Sequence, residues 1–194
     1  LEAGVNYMFD TKNLVNFNVF KRDSDDAMAF DSTPTATHPK GQYVNIAQEH
    51  ARGLSLRFKK DLGSGFTTTA AYNYLYIKPD GKKAPNRNGA MPRSTFNVGV
   101  DYNRDKWDLG ISGRLTVGKA QNRADNQTIG KPFRTYWVWD GILNYRMNKS
   151  IRIFGRVNNM FNQMFTETSY ELNPNSAWFS APGRNFEVGL EYFF

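Results

Sequence analysis

Hydrophobic and polar residues alternate along most of this chain. In its last stretch, NFEVGLEYFF, Phe186, Val188, Leu190, Tyr192 and Phe194 take every second position, with Asn185, Glu187, Gly189, Glu191 and Phe193 between them. A period of two belongs to an extended strand with one apolar and one polar face. The same alternation sets Phe96, Val98, Val100 and Tyr102 against Asn97, Gly99, Asp101 and Asn103. It sets Trp107, Leu109, Ile111 and Leu115 against Asp108, Ser112 and Arg114, and Ile151, Ile153 and Val157 against Arg152, Arg156 and Asn158. Trp137, Trp139, Leu143 and Tyr145 likewise oppose Asp140, Asn144 and Arg146, and FTTTAAYNYLYI stacks Tyr72, Tyr74 and Tyr76 on one side. No stretch has the 3.6-residue period of a helix, so the pattern predicts an all-β chain. The predicted strands are 1–9, 14–22, 43–61, 66–77, 94–103, 107–117, 134–146, 151–159 and 185–194.

The connections alternate too. DTKN (10–13), LGSG (62–65), NRDK (103–106) and MNKS (147–150) are tight polar hairpin turns. Between them lie long links, 23–42, 78–93, 118–133 and 160–184, rich in Pro, Gly, Asn and Asp. In an antiparallel meander, successive connections emerge at opposite ends. One end is therefore trimmed and the other carries the long loops.

A soluble up-and-down barrel would also alternate, so the period does not say which face is the core. Three features favour lipid outside. The polar row holds Asp101, Asp108, Arg114, Asp140, Arg152, Arg156, Glu187 and Glu191, too many charges for a small dry interior but suited to a wet lumen. Short turns opposite long loops are the asymmetry of outer-membrane barrels, with trimmed periplasmic and long extracellular ends. Tyr102, Trp107, Trp137, Trp139 and Tyr145 sit near strand ends, where an interfacial girdle would lie. In lipid the barrel must close, because an open edge leaves backbone groups unpaired.

The strand 43–61 resists this scheme. The row of Leu54, Leu56 and Phe58 also carries Gln48, His50 and Arg52, and a charge at the middle of a lipid face costs about 2–4 kcal/mol. Either this half of the strand rises above the membrane, or a bulge near Gly53 resets the facing.

Composition narrows the chemistry. The 25 basic and 18 acidic residues give a formal charge of +7, but they are dispersed rather than clustered, which gives no argument for nucleic acid. Cysteine is absent, and the two histidines, His38 and His50, lack ligand spacing. With no nucleophile–base context and no phosphate loop, no enzyme activity and no cofactor are expected. Asp23, Asp25, Asp26 and Asp31 crowd the first long link, as a calcium site or as a solvated acidic loop; the Gly and distal Glu of an EF-hand loop are missing. The first residues lack the features of a signal peptide and already alternate, so the chain reads as a fragment beginning inside a strand.

The final segment, with Glu187, Gly189, Tyr192 and a terminal Phe194, resembles the C-terminal signal by which the bacterial barrel-assembly machinery recognises outer-membrane proteins. Val157-Asn158-Asn159-Met160-Phe161-Asn162, a long link, and then Pro182-Gly183-Arg184-Asn185-Phe186 resemble the end of TonB-dependent outer-membrane receptors. Gly53-Leu54-Ser55-Leu56 is similar to another segment of that family, with Ser55 where Glu is usual, and Met91-Pro92-Arg93 before a strand fits the same habit. The resemblance implies a 22-stranded barrel with an N-terminal plug, of which residues 1–194 would be the last nine strands. The plug, its energy-coupling box and the earlier strands would lie outside the chain. It further implies a receptor importing an iron chelate, a ferric siderophore or haem, with energy from the TonB complex. A passive porin-like barrel without a plug is the alternative.

Asn158 and Asn159 are expected to satisfy backbone at a strand end, and Gly183 to supply backbone freedom. Candidate ligand contacts are His38 in the first long link, Arg123, Lys131 and Arg134 as attractors of anionic chelates, and Tyr170, Trp178 and Phe179 as aromatic contacts in the last link.

Overall fold

A computed structural model describes residues 1–26, 28–31, 34–45, 48–80, 92–118, 135–165, 171–173, 176–178 and 181–194. It is built from β1 (Glu2–Met8), β2 (Leu14–Asp25), β3 (Met28–Asp31), β4 (Gln42–Asn45), β5 (Gln48–Gly63), β6 (Phe66–Asp80), β7 (Ser94–Arg104), β8 (Trp107–Val117), β9 (Thr135–Arg146), β10 (Ile151–Asn158), β11 (Glu171–Asn173), β12 (Ser176–Trp178) and β13 (Asn185–Tyr192). Nine of these form one antiparallel sheet in the order β1-β2-β5-β6-β7-β8-β9-β10-β13. The predicted meander is therefore the observed topology, with β1 and β13 at its two edges.

The long links carry structure that periodicity did not show. Between β2 and β5 stands a separate hairpin of β3 and β4, and between β10 and β13 a smaller one of β11 and β12. The strand expected over 43–61 is consequently two. Residues 42–45 pair with β3, and the strand of the main sheet begins only at Gln48. β2 and β6 run three residues further than predicted, to Asp25 and Asp80, because each finds a ladder partner in the long β5.

Register assigns the faces without ambiguity. Val15, Phe17 and Val19 of β2 stand opposite Phe58, Leu56 and Leu54 of β5, and these opposite Ala70, Tyr72 and Tyr74 of β6. The row continues through Val98 and Val100, Ile111 and Leu109, Leu143 and Tyr145, and Ile153, to Leu190 and Val188. This is the outer row. Asp101, Asp108, Arg114, Asp140, Arg152, Arg156, Glu187 and Glu191 all fall on the other face, the inner row.

The facing of β5 is settled by the same ladder. Pairing with β2 and β6 runs unbroken past Gly53, and the only shift in the β5–β6 register lies at Asp61/Gly63. No bulge resets the strand, so Gln48, His50 and Arg52 stay in the outer row. Length removes the conflict: β5 and β6 have 16 and 15 residues, whereas about 9–11 cross a membrane. The charged half of β5 stands beyond the apolar band.

Three strand glycines lie under aromatic rings. A Cβ on Gly53 would come within 2.7 Å of the Phe20 ring, and one on Gly113 within 2.8 Å of Trp139. A Cβ on Gly189 would overlap the ring of Phe154. In each case glycine and aromatic are direct cross-strand partners, so the ring covers a backbone that has no side chain of its own.

Candidate functional site

The inner row is a polar wall held by cross-strand pairs. Arg152 donates to Glu191 on β13, and Arg156 Nη1 lies 3.1 Å from Glu187 Oε2. Further along, Asn144 donates to Asp108 (3.1 Å), Asn73 to Thr95 (3.2 Å), Asn16 to Asn6 (2.7 Å) and Asn18 to Glu2 (2.7 Å). Side chains with this many donors and acceptors hold water or a polar partner against the sheet. At the trimmed end the wall opens into a cleft of about 590 Å³ lined by Lys106, Asp108, Asn144, Arg146, Lys149 and Arg152 among others, with cations in excess.

Aromatic rings border the outer row at both ends. At the trimmed end Phe66 packs on Tyr102 and Trp107 on Tyr145, at centroid distances of 4.6 and 4.5 Å. Tyr7 with Phe9 and Tyr192 with Phe194 make edge-on pairs at the sheet margins. At the long-loop end Trp137 stacks on Trp139. The girdle residues expected from sequence are therefore placed as expected.

Hydrogen bonds lace the tight turns into one rim. The backbone N–H groups of Lys12 and Asn13 donate to Asp10 Oδ1 at 2.7 and 2.9 Å, and Asn13 Nδ2 donates to its Oδ2. These bonds, Asn13's side chain foremost, hold the Asp10 carboxyl below the ordinary carboxylate range. Asn13 Oδ1 accepts from the Asp61 N–H, and Lys12 Nζ lies 2.9 Å from Asp61 Oδ2, which raises the Lys12 ammonium above its ordinary value. Asn103 N–H donates to Gly65 O, Lys106 Nζ to Met147 O and Phe193 N–H to Ser150 O. Each turn is thus tied to the next, and the last is tied to the residue before Phe194.

The long-loop end is organised by Asn159, which is 3% exposed and takes a left-handed φ of 50°. Its N–H donates to Asp140 Oδ1 (2.8 Å), its Nδ2 to Gln163 O (2.8 Å) and Pro182 O (3.2 Å), and its Oδ1 accepts from Gln163 N–H (2.7 Å). Asn162 Oδ1 accepts from Arg184 N–H (2.9 Å), and Ala181 N–H donates to Phe165 O (2.8 Å). The two feet of the last long link are thereby clamped together. Phe165 also packs on the inward Tyr136 and Val138 to form a small buried cluster, with Ala181 against it. The backbone role expected of the pair falls to Asn159 alone: Asn158 Nδ2 donates to the side-chain Oδ1 of Asn185 (2.8 Å), not to backbone. Gly183 differs from expectation. Its φ is not left-handed; a Cβ there would meet Asn162 Oδ1 at 2.8 Å, so a side chain would displace the oxygen that accepts from Arg184 N–H.

Of the candidate ligand contacts, His38 is exposed and sits in a local turn, with its N–H donating to Thr35 Oγ1 (3.0 Å) and its Nδ1 3.0 Å from Thr37 Oγ1. Arg123, Lys131, Arg134, Tyr170 and Phe179 lie outside the described residues; Trp178 is at the end of β12, opposite Glu171, and is described by its backbone alone. The acidic stretch is mostly strand: Asp23 and Asp25 belong to β2, where Asp23 meets Lys21 and His50, and Asp25 accepts from Gln48. Among the described residues no three His, Cys, Asp or Glu side chains come together as a metal site. Sequence reasoning missed the Asn159–Asn162 clamp, the rim and the inward Tyr136–Val138 cluster. The NN-x-x-N spacing was a signal for the first, whereas nothing local announces the others.

An antiparallel meander with an apolar outer row, a charged inner row, aromatic margins and one trimmed end is the wall of a membrane-type β-barrel. The chain belongs to the TonB-dependent receptor-like β-barrel family, whose model matches residues 1–160. Its fold is similar to that of the copper transporter OprC (TM-score 0.77, 21% identity, covering 100% of this chain and 31% of that one). It is similar also to the FrpB iron transporter of Neisseria meningitidis, F3-3 variant (0.76, 20%, 98% and 30%). A mutant of the ferric enterobactin receptor of Pseudomonas aeruginosa is a third relative in fold (0.72, 17%, 100% and 30%). No curated protein matches the sequence. The chain spans less than a third of the length of these structures.

Proposed function

We propose that residues 1–194 form the C-terminal wall of an outer-membrane receptor that imports an iron chelate, a ferric siderophore or haem, with TonB-coupled energy. The observation that carries this reading is the inner row: nine strands of a family member present hydrogen-bonding and paired charged groups to one side and apolar groups to the other. Such a wall suits a plug domain and a polar cargo inside, and lipid outside. The similar folds belong to proteins described as copper and iron transporters and a ferric enterobactin receptor, which supports a metal-bearing cargo and, within that class, iron. The plug and the coupling box would precede this chain in the full protein. Recognition of cargo belongs to the long connections, and the enzyme class plays no part in the reading.

The test uses the full-length receptor. Deleting 165–180, which removes Tyr170, Trp178 and Phe179, should weaken chelate binding at least about tenfold, near 1.4 kcal/mol, and abolish growth on that chelate under iron limitation. Comparable changes in the turns 103–106 and 147–150 should leave both intact. Equal effects from both sets would remove the long connections as the recognition surface. A full-length sequence without a plug would instead make the barrel a passive one.

A further inference from the structure

The outer row of β2, β5 and β6 continues past its apolar band into two rungs of charge. The register passes from Val19, Leu54 and Tyr74 to Lys21, Arg52 and Tyr76, and then to Asp23, His50 and Lys78. Because β5 and β6 outrun the roughly 9–11 residues that cross hydrocarbon, these rungs lie at the long-loop border of the band. That is the depth of lipid headgroups.

The charges on these rungs are unequally satisfied. Asp23 engages Lys21 Nζ at 3.2 Å and His50 Nδ1 at 2.6 Å, and Asp25 Oδ1 accepts from Gln48. Arg52 has no ion pair among the described residues; its guanidinium lies over the Tyr76 ring, 4.9 Å from the centroid. A cation–π contact consumes no carboxylate partner, and no hydrogen bond of the Arg52 N–H donors is found among the described residues. Lys78, exposed and diagonal to Arg52 across the β5–β6 ladder, has no acidic partner among the described residues either. Diagonal neighbours stand about 7–8 Å apart, within reach of two long side chains converging on one anion. Lys21 is the direct cross-strand partner of Arg52, a like-charge pairing that disfavours the bare sheet and that an anion would relieve.

We propose that Arg52 and Lys78, with Lys21 beside them, bind the phosphate of an outer-leaflet lipid headgroup. Arg52 supplies the bidentate fork and Lys78 a point charge. Tyr74 and Tyr76 face the glycerol and upper acyl region, where an amphipathic ring is best placed. Headgroup binding would fix the depth of the long β5–β6 hairpin in the bilayer. The proposal rests on the outer row facing lipid; neither cargo nor energy coupling enters it.

The test uses the full-length receptor in neutral-detergent micelles doped with phosphatidylglycerol, with bound lipid counted by native mass spectrometry. Arg52→Gln with Lys78→Gln should raise the lipid concentration needed for half-occupancy about tenfold. The inner-row pair Arg57→Gln with Lys59→Gln removes the same charge and should change nothing. Arg52→Lys with Lys78→Arg should keep most of the binding, which separates charge from folding. Inorganic phosphate in large excess should not displace the lipid. Equal losses from the inner and outer pairs would overturn the proposal, and so would unchanged binding in the outer pair. Displacement by free phosphate would make this a soluble-anion site and refute the lipid assignment. Failure of the receptor to partition into membranes would instead sink the outer-membrane reading.

Discussion

Asn159 carries more of the long-loop end than its size suggests. Replacing it by Ala leaves the N–H of Gln163 and the carbonyls of Gln163 and Pro182 without their side-chain partner at a part-buried site, at a cost of about 1 kcal/mol. Asn159→Ala should therefore lower the urea midpoint of the reconstituted receptor and speed proteolysis within 163–182. Asn158→Ala, which removes one exposed bond, should shift the midpoint far less. Equal shifts would mean that the clamp adds nothing to an ordinary strand end. Gly189 poses a sharper question, because it belongs to the proposed assembly signal and also lies beneath the Phe154 ring. Gly189→Ala should reduce the receptor reaching the membrane. If the defect is packing, adding Phe154→Ala should restore abundance; if the assembly machinery reads the glycine, it should not. Phe194 lies beyond the end of β13, where its ring packs edge-on with Tyr192. Its truncation to Ala should cut surface abundance while leaving uptake per inserted molecule unchanged. Normal abundance with defective uptake would make the terminus functional in its own right.

At the scale of elements, the turns do more than reverse the chain. The Asp10 carboxylate organises the first one, and its depressed pKa sets the sign of the pH effect. A carboxyl ionised more readily when folded than unfolded adds stability above its unfolded value, about 3.9, and loses it as pH falls through the lower folded value. The amide chemical shifts of Lys12 and Asn13 in nanodisc-embedded protein should titrate together with a midpoint below 3.9. A midpoint at or above that value would mean that the carboxylate is not held by these N–H groups. The strands themselves were legible by their period because each has one face in an apolar setting and one in a polar setting. The β3–β4 and β11–β12 hairpins were not, since short strands away from the main sheet carry no such contrast.

For the whole molecule the decisive property is which face meets lipid. Spin labels at Val98, Leu109, Ile111, Ile153 and Val188 in bilayers should be accessible to oxygen and shielded from water-soluble relaxers. Labels at Asn97, Arg114 and Arg156 should show the opposite. The reverse pattern would describe a soluble barrel with an apolar core.

Alternation along the chain was enough to determine nine antiparallel strands, the contents of the two faces of all but β5, and the trimmed and long-loop ends. Each of these depends only on period two and on local turn chemistry. Tertiary structure alone decided how far each strand runs, because strand length depends on whether a neighbour offers a ladder. β5 shows this best: its sequence left Arg52 between a lipid face and a bulge, and only unbroken pairing with both β2 and β6 placed the charge beyond the apolar band. The rim and the Asn159 clamp joined residues distant in sequence for the same reason. Hydrogen bonds between turns exist only once the strands that space them have paired.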